Sequence, residues 1–205
     1  MENKFCFERR KAIVFDLDGT IVKLNVNWRE LKNLLSRRFY DLYGVHYEFR
    51  SITECLMKVL EKEDEKEFAN LLNIIERFEL KNIAKGAYLE ETLFFINNLE
   101  FFNVREGTKI AVLSLNMRKT IIESLKNANL CEKIDYIVGR EDLKRWKPNP
   151  DGLLKVQEYF NLERKDLIYF GDLQKDLNTG KNAGIDTFFI DELIDLVKEK
   201  RSRFK

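Results

Sequence analysis

The stretch from residue 11 to residue 20, KAIVFDLDGT, constrains this chain more than any other. Ile13, Val14 and Phe15 form a short unbroken apolar run, the pattern of a fully buried strand, and the polar DLDGT reads as the loop at its C-terminal end. Open parallel α/β sheets place their ligands at such strand ends. Asp16 and Asp18 lie two apart, so in extended backbone both carboxylates project towards the same side. Adjacent carboxylates repel, and a divalent cation or a shared proton is the usual remedy. An ordinary strand-to-loop turn has the same local pattern, so the rest of the chain must discriminate.

With 205 residues there is room for one full domain, or for a core domain carrying a modest insertion. The 36 Lys and Arg nearly cancel the 35 Asp and Glu, so no global field favours nucleic acid or an acidic membrane, and anion binding must be local. A charged fraction of 35% with only Gln157 and Gln174 as glutamines matches the Lys/Glu-rich habit of heat-adapted proteins. Cys6, Cys55 and Cys131 form no CxxC pair, and with the single His46 they match no zinc spacing. A reduced, soluble, cytoplasmic protein is expected, because the early Phe5, Cys6 and Phe7 give way at once to Glu8, Arg9, Arg10 and Lys11.

After Val22 a polar connection runs to Asn27, and from Trp28 the pattern turns helical. Leu31, Leu34, Leu35, Phe39 and Leu42 form an amphipathic stripe expected to be core, and Gly44 is placed to stop the helix. Residues 51–61 read as a second helix, with Ser51 as N-cap and Glu54 as its capping-box partner. Residues 64–85 read as a third, with Phe68, Leu71, Leu72, Ile75 and Phe78 on one face. No strand signal interrupts residues 25–85, which therefore read as an inserted helical module with hinges at 21–27 and 84–90.

Beyond it, helices at 89–99, 117–128, 150–160 and 175–183 alternate with strands at 110–115, 134–138, 167–170 and 187–190. Pro148 and Pro150 punctuate the start of one helix, and Gly184 closes another. The expected fold class is α/β: a Rossmann-like parallel sheet flanked by helices, carrying a small all-helical insertion.

Four loops that follow proposed strands carry distinctive polar groups: Asp16, Asp18 and Thr20; Ser114; Lys147 in KPNPD; Asp172 and Asp176 in GDLQKD. Strands of a parallel sheet end on one edge, so these loops converge. Several carboxylates, one ammonium and one hydroxyl make a sensible inventory for metal-assisted phosphoryl transfer, with hard oxygen ligands for Mg²⁺ and an aspartate as nucleophile. A Ser-His-Asp hydrolase is disfavoured by the single histidine and the lack of GxSxG. GxGxxG and GxxxxGK[ST] are also absent, and DLDGT is too short for an EF-hand.

In this order and spacing the motifs resemble those of the haloacid dehalogenase superfamily of phosphatases, in particular its phosphoglycolate phosphatase-like members. DLDGT matches the DxDxT signature, Ser114 the second-motif hydroxyl, Lys147 the lysine, and GDLQKD the acidic GDxxxD motif. The resemblance implies Asp16 as nucleophile and Asp18 as acid/base. It implies Mg²⁺ held by Asp16, the backbone carbonyl of Asp18, Asp172 and, in the inner or outer shell, Asp176. Ser114 and Lys147 would bind the phosphoryl group, with Thr20 and Leu115 in the same loops.

Lys144 is the lesser alternative to Lys147. Weaker substrate candidates are Asn116, Arg118, Lys23 and His46, with Trp28, Arg37 and Arg38 as possible readers in the insertion. Residues 1–24 and 86–205 would form the catalytic core and 25–85 a helical cap. The implied partner is a small phosphorylated metabolite, with no nucleic acid or membrane, and the protein is expected as a monomer or small homo-oligomer. Lys23 and Leu115 depart from residues common in relatives, which disfavours the familiar substrates but leaves the phosphoryl chemistry intact. A phosphotransferase or sugar-phosphate mutase of the same superfamily is the nearer alternative, and a non-catalytic phosphate-binding or regulatory module the more distant one.

Overall fold

The computed structural model describes residues 4–83 and 86–203. Its strands are β1 (Ala12–Phe15), β2 (Val22–Lys23), β3 (Ala87–Tyr88), β4 (Lys109–Leu113), β5 (Tyr136–Val138), β6 (Leu167–Gly171) and β7 (Asp186–Phe189). Five of them make a parallel sheet in the order β5-β4-β1-β6-β7. The order places β1 at the centre. From it the chain builds outward to β5 on one side and then returns to build β6 and β7 on the other, which creates a crevice at the C-terminal ends of β4, β1 and β6. Register aligns Phe15 with Val112 and with Phe170, so Asp16, Ser114 and Asp172 all leave the sheet at that edge.

The helices are α1 (Trp28–Tyr43), α2 (Ile52–Leu60), α3 (Glu65–Leu80), α4 (Glu90–Asn97), α5 (Arg118–Asn127), α6 (Asp151–Phe160), α7 (Gln174–Ala183) and α8 (Ile190–Ser202). Every residue of β1 and of β6 is buried, as a central parallel strand requires. Phe15 stacks on Phe170 across the two strands at 5.7 Å, and Phe5, Phe7 and Phe95 pack around them. This aromatic block anchors the strand ends from which the polar loops depart.

The chain divides into two compact units, residues 1–24 with 86–205, and residues 25–85. In the first, β2 and β3 pair antiparallel, Val22 with Tyr88 and Lys23 with Ala87, so both connections to the insertion are joined into a short ribbon. The sequence reading had only two hinges here. Two-residue strands separated by more than sixty positions have no local signal.

The second unit is α1, α2 and α3. Asn27, Ser51 and Asp64 cap the three helices, each side chain accepting the N–H three residues on. Glu54 departs from the expected capping box: it reaches past Ser51 to the N–H of Arg50. Gly44 ends α1 at φ 67°, as expected of a C-cap. The stripe on α1 needs correction. Leu31, Leu35 and Phe39 are buried, but Leu34 is 45% and Leu42 50% exposed. The i, i+4, i+8 row faces the other two helices, and a three-helix unit is too thin to cover the flanking positions.

A similar correction applies to α3. Its buried row is Glu67, Leu71, Ile75 and Glu79, while Phe68, Leu72 and Phe78 are only half-buried. Glu67 enters the inner face because α1 supplies a counter-charge there: Arg38 holds it with two hydrogen bonds, of 2.5 and 2.7 Å. The helix ends at Leu80, short of the expected 85, and residues 84 and 85 lie outside the described residues. Among the described residues no helix is long and apolar enough to cross a membrane.

Candidate active site

The loop after β1 is built backwards from its own carbonyls. Asp16 extends the ladder by donating its N–H to Phe170 O (2.9 Å), and Leu17 O then accepts from Thr20, Ile21 and Val22. Gly19 sits at φ +80°, and a Cβ there would lie 2.2 Å from Asp172 Oδ2. Glycine is therefore required twice, for the backbone conformation and for the close approach of Asp172. Gly171 has a matching role at the end of β6, where a Cβ would meet that of Asp176 at 2.4 Å.

These approaches bring Asp16, Asp172 and Asp176 together, one carboxylate oxygen of each lying within 4.8 Å of the others. Lys147 reaches into the group with a side chain 1% exposed. Its Nζ lies 2.6 Å from Tyr169 Oη, 2.8 Å from Asp176 Oδ1 and 3.0 Å from Asp16 Oδ1. The loop that delivers it is fixed by Trp146, whose indole N–H donates to Arg140 O, and by Asn182, which donates to Pro148 O.

The electrostatics differ among the members. Burial pushes the Asp176 carboxyl up, but Lys147, the Tyr169 hydroxyl and the Leu173 N–H more than offset this, and its pKa falls below the ordinary carboxylate range. Burial likewise opposes the Lys147 ammonium, yet Asp16 and Asp176 raise its pKa overall. At Asp172 its own backbone N–H and the Lys175 charge are too weak to do the same. Burial, then the charges of Asp16 and Asp176, push its pKa up to about 6, and its Oδ1 is buried with no hydrogen-bond partner among the described residues. Three carboxylates against one ammonium leave excess negative charge, and an orphaned oxygen points to where a hard cation would bind.

The other expected residues are placed less uniformly. Asp18 keeps its carboxylate out of the acidic triad, because its Oδ1 accepts the Leu24 N–H at 2.8 Å. The two aspartates of DLDGT are thus not a facing pair; the turn after Asp16 breaks the extended backbone that would have aligned them. Thr20, placed by the sequence among the phosphoryl-binding loops, is fully buried, and its hydroxyl has no hydrogen-bond partner among the described residues.

Ser114 follows β4 and is 1% exposed. Its hydroxyl donates to Asn116 Oδ1 (2.9 Å) and accepts the Asn116 N–H, which places Asn116 beside it. Leu115 between them is half-buried. Arg118 is drawn elsewhere: its guanidinium bonds Asp142 (2.6 Å) and Ile137 O (2.7 Å). Lys23 is exposed on β2. His46 belongs to the helical unit, where its ring stacks on Tyr40 at 4.0 Å. Arg38, proposed as a reader, is committed to Glu67.

Tyr169 falls within the strand expected at 167–170, and nothing in that expectation marks it as part of the site. A signal was present, since a hydroxyl inside a strand buried on both faces must find a polar partner.

Comparison with known proteins agrees with this geometry. The family described as haloacid dehalogenase-like hydrolase matches residues 13–190. The pyrophosphatase PpaX of Halalkalibacterium halodurans is 29% identical over 186 residues, covering 86% of this chain and 81% of the relative. The crystal structure of a predicted phosphoglycolate phosphatase from Haemophilus somnus superimposes with a TM-score of 0.59 at 18% identity, over 93% of this chain and 92% of the other. A subfamily IA hydrolase of the same superfamily from Geobacter sulfurreducens gives 0.58 at 16% identity, over 93% and 99%. The chain belongs to the haloacid dehalogenase-like hydrolase family and is an enzyme of its phosphatase type.

Proposed function

We propose that the protein hydrolyses the phosphoryl group of a small phosphorylated metabolite by way of an aspartyl-phosphate on Asp16. The observation that carries this reading is the cluster of Asp16, Asp172 and Asp176, two of which pair with the buried Lys147. A carboxylate can attack a phosphate dianion only when positive charge neutralises both. Lys147 supplies one such charge beside Asp16. Mg²⁺, held by Asp16, Asp172 and the backbone carbonyl of Asp18 with Asp176 behind them, would supply the other by drawing charge from the phosphoryl oxygens.

The chain's own residues then divide the work. An Asp16 oxygen bonds to phosphorus as the bond to the leaving oxygen breaks. Asp18 gives that oxygen its proton, then takes one from the water that attacks the acyl phosphate. The Leu24 N–H on Asp18 Oδ1 supports this assignment by fixing the carboxyl's orientation. Ser114, by turning its hydroxyl from Asn116, would bind a phosphoryl oxygen.

Residues 25–85 are proposed as the cap that excludes water and reads the substrate. The β2/β3 ribbon supports this, because the insertion is reached directly from the DLDGT loop. Inorganic pyrophosphate, named in the activity of a relative, is the first natural compound to try.

The test is phosphate release from p-nitrophenyl phosphate and from pyrophosphate with Mg²⁺, with EDTA and after Mg²⁺ is restored. Release that EDTA abolishes and Mg²⁺ restores is expected. Inert protein with every divalent metal would exclude the reading.

A further inference from the structure

Tyr169 lies on β6, the strand beside β1, with its side chain fully buried and its Cα in register with Val14. A phenylalanine would fill the same space, so packing leaves the hydroxyl unexplained. That oxygen accepts an ammonium N–H of Lys147 at 2.6 Å and donates to Asp176 Oδ1 at 2.7 Å. Asp176 Oδ1 also accepts from Lys147 at 2.8 Å, and its Oδ2 accepts the Leu173 N–H at 3.1 Å. Lys147 Nζ, Tyr169 Oη and Asp176 Oδ1 thus form a closed triangle of hydrogen bonds.

The triangle has a consequence for the lysine. An ammonium has three N–H donors on a flexible four-carbon stem. Two are taken by Tyr169 and Asp176, and the remaining one is left for the Asp16 carboxylate 3.0 Å away. The two carboxylates alone would leave the ammonium free to rotate about the line between them. The third contact, made from a strand, fixes its direction.

We propose that Tyr169 is a positioning residue: its hydroxyl, braced by Asp176, aims the Lys147 ammonium at Asp16. Its effect on turnover rests on the phosphatase reading, but the state of the ammonium does not. The triangle and the Leu173 N–H together occupy both oxygens of Asp176 with protein donors, which sets this carboxylate apart from Asp172 as a support for Lys147.

The test uses the full chain with Tyr169→Phe, Lys147→Met and the double variant. In ¹⁵N-labelled metal-free protein, the Lys147 ammonium should give a slowly exchanging ¹H–¹⁵N signal, identified by its loss in Lys147→Met. In Tyr169→Phe that signal should broaden or vanish while circular dichroism is unchanged. With p-nitrophenyl phosphate, Tyr169→Phe should lower kcat about 10- to 100-fold, the value of one hydrogen bond to a charged group, with KM within about twofold. The loss should disappear in the Lys147→Met background, since a residue acting through Lys147 has nothing left to aim. An unchanged Lys147 signal in Tyr169→Phe, or kinetic losses that simply add, would overturn the proposal. Should the protein be inert towards phosphate esters, the ammonium signal still decides the positioning role.

Discussion

Each of the two units buries charge, and the Arg38–Glu67 pair of one and the strand-end cluster of the other do it in opposite ways. In the helical unit Arg38 holds Glu67 with two hydrogen bonds, and Asn70 donates a third at 3.0 Å, so both carboxylate oxygens are matched. At the strand ends of the α/β unit, Lys147 pairs with Asp16 and Asp176, and Oδ1 of the neighbouring Asp172 is left over. Burial of charge is common to both and marks neither as a site. The imbalance does: a closed pair is complete as folded, whereas an excess of carboxylate at a largely buried strand end is stable only with another cation, a proton or a ligand.

The contrast breaks most visibly at Asp16. Asp16→Asn keeps the shape of the side chain and removes both its nucleophilicity and one like charge. Turnover of p-nitrophenyl phosphate should fall below about one percent of wild type, a loss above ~2.7 kcal/mol in barrier. Melting temperature should hold or rise, because one of three mutually repelling carboxylates is gone. Greater residual activity would remove Asp16 as nucleophile.

Arg38→Ala makes the opposite test. It strands Glu67, whose side chain is 8% exposed, and should cost about 2 kcal/mol in thermal or urea unfolding, reduced from the fully buried case because Arg38 is partly exposed. Its kcat on the small p-nitrophenyl substrate should stay within about threefold, as surface-supported structural pairs rarely touch chemistry. A collapse in kcat with unchanged stability would make Arg38 a substrate reader after all.

These differences explain what was legible in the sequence. The α/β unit reads well because its signals are local: apolar runs mark β1, β4 and β6, and a distinctive polar group follows each. Asp16, Ser114, Lys147, Asp172 and Asp176 could be named because a parallel sheet delivers strand ends to one edge. What could not be read depends on side-chain direction. The aspartates at 16 and 18 are equivalent in spacing, and only the turn through Gly19 separates them. Tyr169 looked like strand filler because its partners are supplied from elsewhere, by the loop of Lys147 and by the first turn of α7. In the helical unit, periodicity marked α1, but which flank of the stripe is covered depends on how many neighbours the helix has. Leu34 and Leu42 are exposed for that reason.

The imbalance at Asp172 can be titrated. Its folded pKa of about 6 lies above the ordinary 3.8 because burial and two neighbouring carboxylates disfavour the ion. A raised folded value stabilises the metal-free fold fully only below the unfolded value, and that contribution is lost as pH rises through about 6. Mg²⁺ should therefore raise the melting temperature strongly at pH 7.5 and little at pH 5. Its affinity, followed by calorimetry, should fall by up to about tenfold per pH unit below 6 as protons compete for the ligand. Asp172→Asn should flatten both trends. If the Mg²⁺ response is independent of pH across this window, Asp172 is not the group that the cation neutralises.

The smallest expected effect lies where the helical unit leaves apolar surface uncovered. Leu42, half exposed on α1, makes no contribution to the row formed by Leu31, Leu35 and Phe39. Leu42→Gln should change unfolding free energy by no more than about 0.5 kcal/mol, whereas Leu35→Ala, at a fully buried position, should cost about 2–5 kcal/mol. Measured side by side by urea denaturation, the pair tests whether α1 is packed along one row only. A loss above about 1 kcal/mol for Leu42→Gln would mean that this flank is covered in solution, and the thin three-helix unit would then owe part of its core to whatever covers it.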